Sequence, residues 1–181
     1  MFFGDIDAQQ WIPARQWHAQ VPHATEMVLT ATGSLTRFLE RHFGLSVKVR
    51  LRDQFVDGVL SSESNLLDCP ATEPILRRQV SLMYNNHVMI DAESVLPLDG
   101  VPAELMTQLE SGDKPLGNLL IDRGISLARS DLSIARFVLP NGSQYWSRRS
   151  VLRSGSGTRA LVVEFFHDAF WRQLARLTAR S

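Results

Sequence analysis

Two alternating runs of about ten residues, 75–84 and 87–96, are joined by nothing but Asn85 and Asn86. A link that short closes only an antiparallel hairpin, because parallel neighbours need a crossover of a dozen or more residues. Asn also tolerates the positive φ that a tight turn demands. The pattern recurs later in the chain. Pro140-Asn141-Gly142 divides a strand within 126–139 from one at about 144–153, and Ser154–Gly157 divides that strand from 160–166. An earlier run, 46–52, alternates Val47, Val49 and Leu51 with Lys48, Arg50 and Arg52, as a strand with one wet face does. Six strands are expected, and the late ones must lie antiparallel.

Elsewhere the period is helical. Residues 24–31 form a short helix candidate, and Ser34 is placed to cap a second one ending at Gly44. The break between them, Thr32-Gly33-Ser34, is a point where the chain can bend. Residues 101–111 read as a helix, Lys114–Gly117 starts another, and a C-terminal helix from about 168 carries Trp171, Leu174 and Leu177. Helices grouped early and between strands, without regular βαβ alternation, give an α+β fold. At 181 residues the expectation is one domain over 1–181.

Charge narrows the partners. Lys+Arg and Asp+Glu balance at 19 each, so no global field draws nucleic acid or an anionic membrane. No apolar run approaches the ~20 residues of a membrane span, and no stable membrane insertion is expected. The opening MFFGDIDAQQ lacks the features of a signal peptide, which points to the cytoplasm, and a monomer is expected. Cys69 is the single cysteine, which excludes an internal disulfide and a Cys-based zinc site; it reads as a small buried apolar residue.

Two charges stand where charges are costly. On the run 76–82, Arg78 shares a face with Leu76, Val80 and Leu82, while Arg77, Gln79 and Ser81 share the polar face. Arg77 is therefore expected to meet solvent, and Arg78 to point into the core and need a carboxylate. Glu164 interrupts Leu161–Phe166, which is apolar on both faces, so it is at least partly buried in either orientation. Two readings stay open: Arg78 and Glu164 pair with each other as a structural ion pair, or they form a pocket for an anionic ligand.

These residues sit among phrases in a particular order: Gly33–Thr36, Arg78 on its strand, Lys114–Gly117, Trp146–Ser150 and Leu161–Phe166. Together, over roughly residues 15–168, they resemble the chorismate pyruvate-lyases. The resemblance implies a six-stranded antiparallel sheet with helices over a buried ligand. It also implies cleavage of chorismate to 4-hydroxybenzoate and pyruvate in the ubiquinone pathway, with no metal or organic cofactor. Arg78 falls on the family's arginine for the ring carboxylate, and Glu164 on its active-site glutamate near the ring hydroxyl. Leu35 and Leu116 fall in covering segments whose backbone amides face the ligand. A small aromatic acid is then the expected partner, as substrate or product.

Two positions depart from the family pattern. Glu93 stands where an arginine is common, and Gln79 where a glutamate is common. A carboxylate facing the pocket at position 93 would repel a dianionic substrate by several kcal/mol if both were desolvated. Two further readings stay open beside the lyase: an aromatic-acid-binding protein without turnover, and a lyase for a related isomer. Among the remaining candidates, Arg148 and Arg149 are adjacent on a strand and face opposite ways, one of them toward solvent. The five histidines show no metal-ligand spacing, and His167-Asp168 reads as surface at a strand end. The basic amphipathic C-terminal helix reads as a docking helix with solvated arginines.

Overall fold

The computed structural model describes residues 11–112, 114–122, 128–138, 144–155 and 157–179. The strands are β1 (Ile12–Pro13), β2 (Lys48–Gly58), β3 (Pro74–Tyr84), β4 (His87–Pro97), β5 (Ala128–Val138), β6 (Gln144–Arg153) and β7 (Arg159–Phe166). They form one antiparallel sheet in the order β1-β5-β6-β7-β4-β3-β2. The helices are α1 (His23–Thr30), α2 (Leu35–Phe43), α3 (Ser61–Leu67), α4 (Ala103–Glu110), α5 (Leu116–Asp122) and α6 (Asp168–Thr178). The α+β reading holds, with seven strands in place of six. The added one, β1, is two residues long and pairs with the edge of β5, so it has no periodicity to read.

Local chemistry explains most boundaries. Asn85 and Asn86 take φ of 49° and 63°, the left-handed pair that a two-residue hairpin needs. Ser34 caps α2 by accepting from the Arg37 amide at 3.4 Å, and Gly44 ends it at φ 61°. The register of β2 shifts between Leu51 and Asp53, and this irregularity hides its second half from the alternation rule. The turn expected at Pro140–Gly142 lies outside the described residues.

One face of the sheet carries two apolar cores. Val80, Leu82, Ala92, Ile134 and Phe166 pack with Leu29, Leu39, Phe170 and Leu174 from α1, α2 and α6. Further along the same strands, Leu76, Leu96, Leu152 and Val162 pack with Leu105, Leu109, Leu119 and Leu120 from α4 and α5. Between these cores run the charged residues of β3, β5, β6 and β7. The C-terminal helix does dock as expected, on Phe170 and Leu174.

The opposite face corrects one expectation. Arg77 does not meet solvent; it is 1% exposed. The cause is α3, a helix with too few apolar residues to be read from the sequence, which brings Glu63 over this face. Arg77 donates to Glu63 Oε1 and to Glu93 Oε1 at 2.8 Å each, and to Glu63 Oε2 at 3.0 Å. Glu63 also accepts from the Leu60 amide and so ties the start of α3 to the sheet. Cys69 is buried on this face beside Leu67 and Ile75. Arg77→Met strips two buried carboxylates of their guanidinium. Urea unfolding should show a loss of about 3–5 kcal/mol, and a loss under about 1 kcal/mol would contradict the role given to this cluster.

Candidate active site

Period 2 sends alternate residues of each strand to the same face, and four strands meet at one level. Glu164 of β7 is flanked by Ala92 of β4 and Arg148 of β6; Ala92 in turn pairs with Val80 of β3. Two residues along, Val162 is flanked by Ser94 and Ser150, and Ser94 pairs with Arg78. Arg78, Val80, Ala92, Ser94, Val162 and Glu164 therefore line one floor.

Two segments close it from above. Gly33–Thr36 enters α2, and Pro115–Gly117 enters α5. The cavity between them is about 50 Å³, and all four residues singled out in the sequence, Leu35, Arg78, Leu116 and Glu164, line it. Gly33 has φ 83°, which favours glycine at the bend before the first cover. Gly112, just before the second, has φ 74°, and a Cβ there would lie 2.9 Å from Leu51.

The covers are bound to each other and to the floor. Ser34 and Thr36 donate to Asn118 Oδ1 at 2.9 and 3.3 Å, across the two covers. Below them, Arg78 Nη2 donates to the carbonyls of Lys114 at 3.1 Å and Gly112 at 3.4 Å. Arg129 Nε donates to the Gly33 carbonyl at 2.6 Å. Each cover is thus held through its backbone by a buried arginine.

Arg78 and Glu164 do not pair with each other. Glu164 takes Arg148 as its partner in a fork, Nε to Oε2 at 2.5 Å and Nη2 to Oε1 at 3.4 Å, with Arg129 Nη2 at 3.5 Å from Oε1. Arg148 is fully buried, and its Nη1 also donates to the carbonyls of Val28 and Ala31 at the end of α1. A helix C-terminus favours a cation there. Burial pushes the Glu164 carboxyl up, but attraction to Arg148 and then Arg129, with their hydrogen bonds, outweighs it. The carboxyl sits below the usual range and is ionised. Burial lowers Arg129 to about 10, which still leaves it cationic near neutrality. Among the described residues, Arg78, Arg129 and Glu164 line the cavity, and Arg148 backs Glu164 from the buried side.

Sequence reasoning missed Arg129 and left Arg148 and Arg149 undivided. Arg148 is the inward one; Arg149 is half-buried, its guanidinium 4.7 Å from the Trp11 ring. His167 does not meet solvent alone either, since its Nε2 lies 2.8 Å from Asp91.

Both departures from the family pattern fall outside the cavity. Glu93 is buried on the opposite face, bound to Arg77 and, through Oε2, to Gln79 Nε2 at 2.7 Å. Positions 79 and 93 are cross-strand neighbours in contact with each other. The positive charge of that cluster sits on Arg77.

A family model described as chorismate lyase matches residues 6–175. Chorismate pyruvate-lyase of Serratia proteamaculans is 30% identical over 162 residues, 88% of this chain and 86% of that protein. The protein of the same name from Sodalis glossinidius is 31% identical over 144 residues, 79% and 77% of the two chains. Among solved structures, the effector domain of PhnF from Mycobacterium smegmatis matches with a TM-score of 0.64 at 14% identity, covering 76% of this chain and 90% of that one, which is a likeness of fold. On the family match and these identities, the chain belongs to the chorismate lyase family.

Proposed function

We propose that this protein is a lyase that converts chorismate to 4-hydroxybenzoate and pyruvate, acting as a single cytoplasmic domain without metal or organic cofactor. The observation that carries this reading is the small cavity between the two covers, lined by Arg78, Glu164, Leu35 and Leu116. Arg78 takes the ring carboxylate, the amides of Leu35 and Leu116 face the ligand, and Glu164 accepts a hydrogen bond from the ring hydroxyl. A monomer and no nucleic-acid partner complete the reading.

Chorismate already holds a ring diene and an enolpyruvyl ether. Losing one ring proton and the ether substituent makes the ring aromatic, and aromatisation drives the reaction. The protein has to fix the dianion, exclude water and help one proton move. Glu164 is held ionised by two arginines, so it is an acceptor and not a proton donor in the resting site. Its bond to the hydroxyl orients the adjacent C–H, and it assists removal of that proton. A cavity of roughly 150 Å³ is what benzene occupies in a protein interior, three times the space enclosed between these covers. Ring entry therefore requires the Gly33 and Gly112 segments to lift, and closure afterwards keeps water out.

Purified protein incubated with chorismate should release 4-hydroxybenzoate and pyruvate in equal amounts. Tight binding of 4-hydroxybenzoate with no turnover would instead make it an aromatic-acid-binding protein. Glu164→Gln should lower kcat by about 10²–10⁴-fold, and full activity in that variant would remove Glu164 from the proton transfer. The acid limb of kcat/KM should fall below the ordinary glutamate range near 4.3, because the folded carboxyl stays ionised until pH drops through its lowered value. A limb at pH 6 or above contradicts that assignment. Glu93→Gln should leave the KM for chorismate within about twofold, since its carboxylate faces Arg77; a large fall in KM would mean that its charge reaches the pocket.

A further inference from the structure

Arg129 is in the cavity wall, yet nothing so far gives it a ligand. It enters from β5, four strands from Arg78 on β3, which on a flat sheet separates the two backbones by roughly 19 Å. Both side chains line the same cavity, so their guanidiniums flank it from opposite sides. A guanidinium has five N–H donors. On Arg129 one meets the Gly33 carbonyl, one the Ser150 hydroxyl at 2.6 Å and one, at 3.5 Å, the Glu164 carboxylate. Among the described residues the other two have no partner. Glu164 is meanwhile already engaged by the fork of Arg148. Arg129 therefore shares the charge of Glu164 with Arg148 and keeps donors that the described residues do not use.

We propose that Arg129 binds the carboxylate of the enolpyruvyl arm of chorismate and stabilises that arm as it leaves, with Arg78 holding the ring carboxylate on the opposite side. This rests on the lyase reading. In the reaction the C–O bond to the ring breaks with its electron pair passing to the ether oxygen. The proton on the adjacent hydroxyl-bearing carbon is lost and the ring double bond forms. The released enolpyruvate takes up one proton at its methylene carbon to become pyruvate. Negative charge grows on the ether oxygen beside an existing carboxylate, where a desolvated guanidinium with spare donors stabilises it most. Through Nε, the same side chain holds the Gly33 carbonyl. Binding of the arm and closure of the first cover are thus joined in one residue.

The product lacks the arm, and that makes the assignment testable. In Arg129→Gln, kcat/KM for chorismate should fall by 100-fold or more, while the inhibition constant of 4-hydroxybenzoate changes by less than about threefold. Arg129→Lys, which keeps the charge, should recover part of the loss. Equal weakening of both ligands would reduce Arg129 to a structural support, and unchanged kcat/KM would overturn the assignment outright. If the variants fold poorly, the wild-type protein still decides by calorimetry. An unreactive 4-hydroxybenzoate carrying a carboxylated ether arm at the 3-position should bind at least tenfold tighter than the same compound with the arm as its neutral amide. No difference between them overturns the proposal. Should the wild-type protein fail to cleave chorismate, the lyase reading falls, and this same pair of compounds still reports whether an arm carboxylate is recognised.

Discussion

The structure turns on the ion pair between Arg148 and Glu164, which sit opposite each other on β6 and β7 in the seam between two apolar cores. A carboxylate there is strongly disfavoured alone, and its partner must approach with good geometry to offset the loss of water. The sheet supplies that geometry by register, and the last carbonyls of α1 take both donors of Arg148 Nη1. One interaction thus fixes the charge state of the site and the seating of the first helix. Everything above it follows: the second arginine beside Glu164, the cover that arginine holds, and the cavity enclosed.

The same physics acts on both faces of the sheet with different results. On the far face, Arg77, Glu63, Glu93 and Gln79 bind one another under α3. On the near face, Arg78, Arg129 and Glu164 line a cavity, with Arg148 fully buried behind Glu164. A cluster whose charges cancel supports the fold.

Much of this was legible in the sequence, and the gaps have physical causes. Alternation in 76–82 assigned Arg78 to the inner face, and the apolar run around Glu164 showed that it was buried. Partnership was not legible, because period 2 gives a side chain's face and not its neighbour on another strand. Arg129 escaped notice because its strand alternates poorly and its pairing shifts between Ser130 and Ser133. Arg77 was misplaced for a different reason. Its polar face is covered by α3, a seven-residue helix with three serines, an asparagine and a glutamate, which offers little apolar pattern. The two departures at 79 and 93 looked like damage to the site until the register showed them to be neighbours on the other side.

The central claim is that Arg78 and Glu164 hold the two ends of one ring. A crystal structure of the protein with 4-hydroxybenzoate tests this most directly. The account predicts the ring inside the cavity, its carboxylate on Arg78, its hydroxyl on Glu164, and the amides of Leu35 and Leu116 against it. A ligand bound elsewhere, or bound here with its carboxylate turned toward Glu164 and away from Arg78, would contradict it.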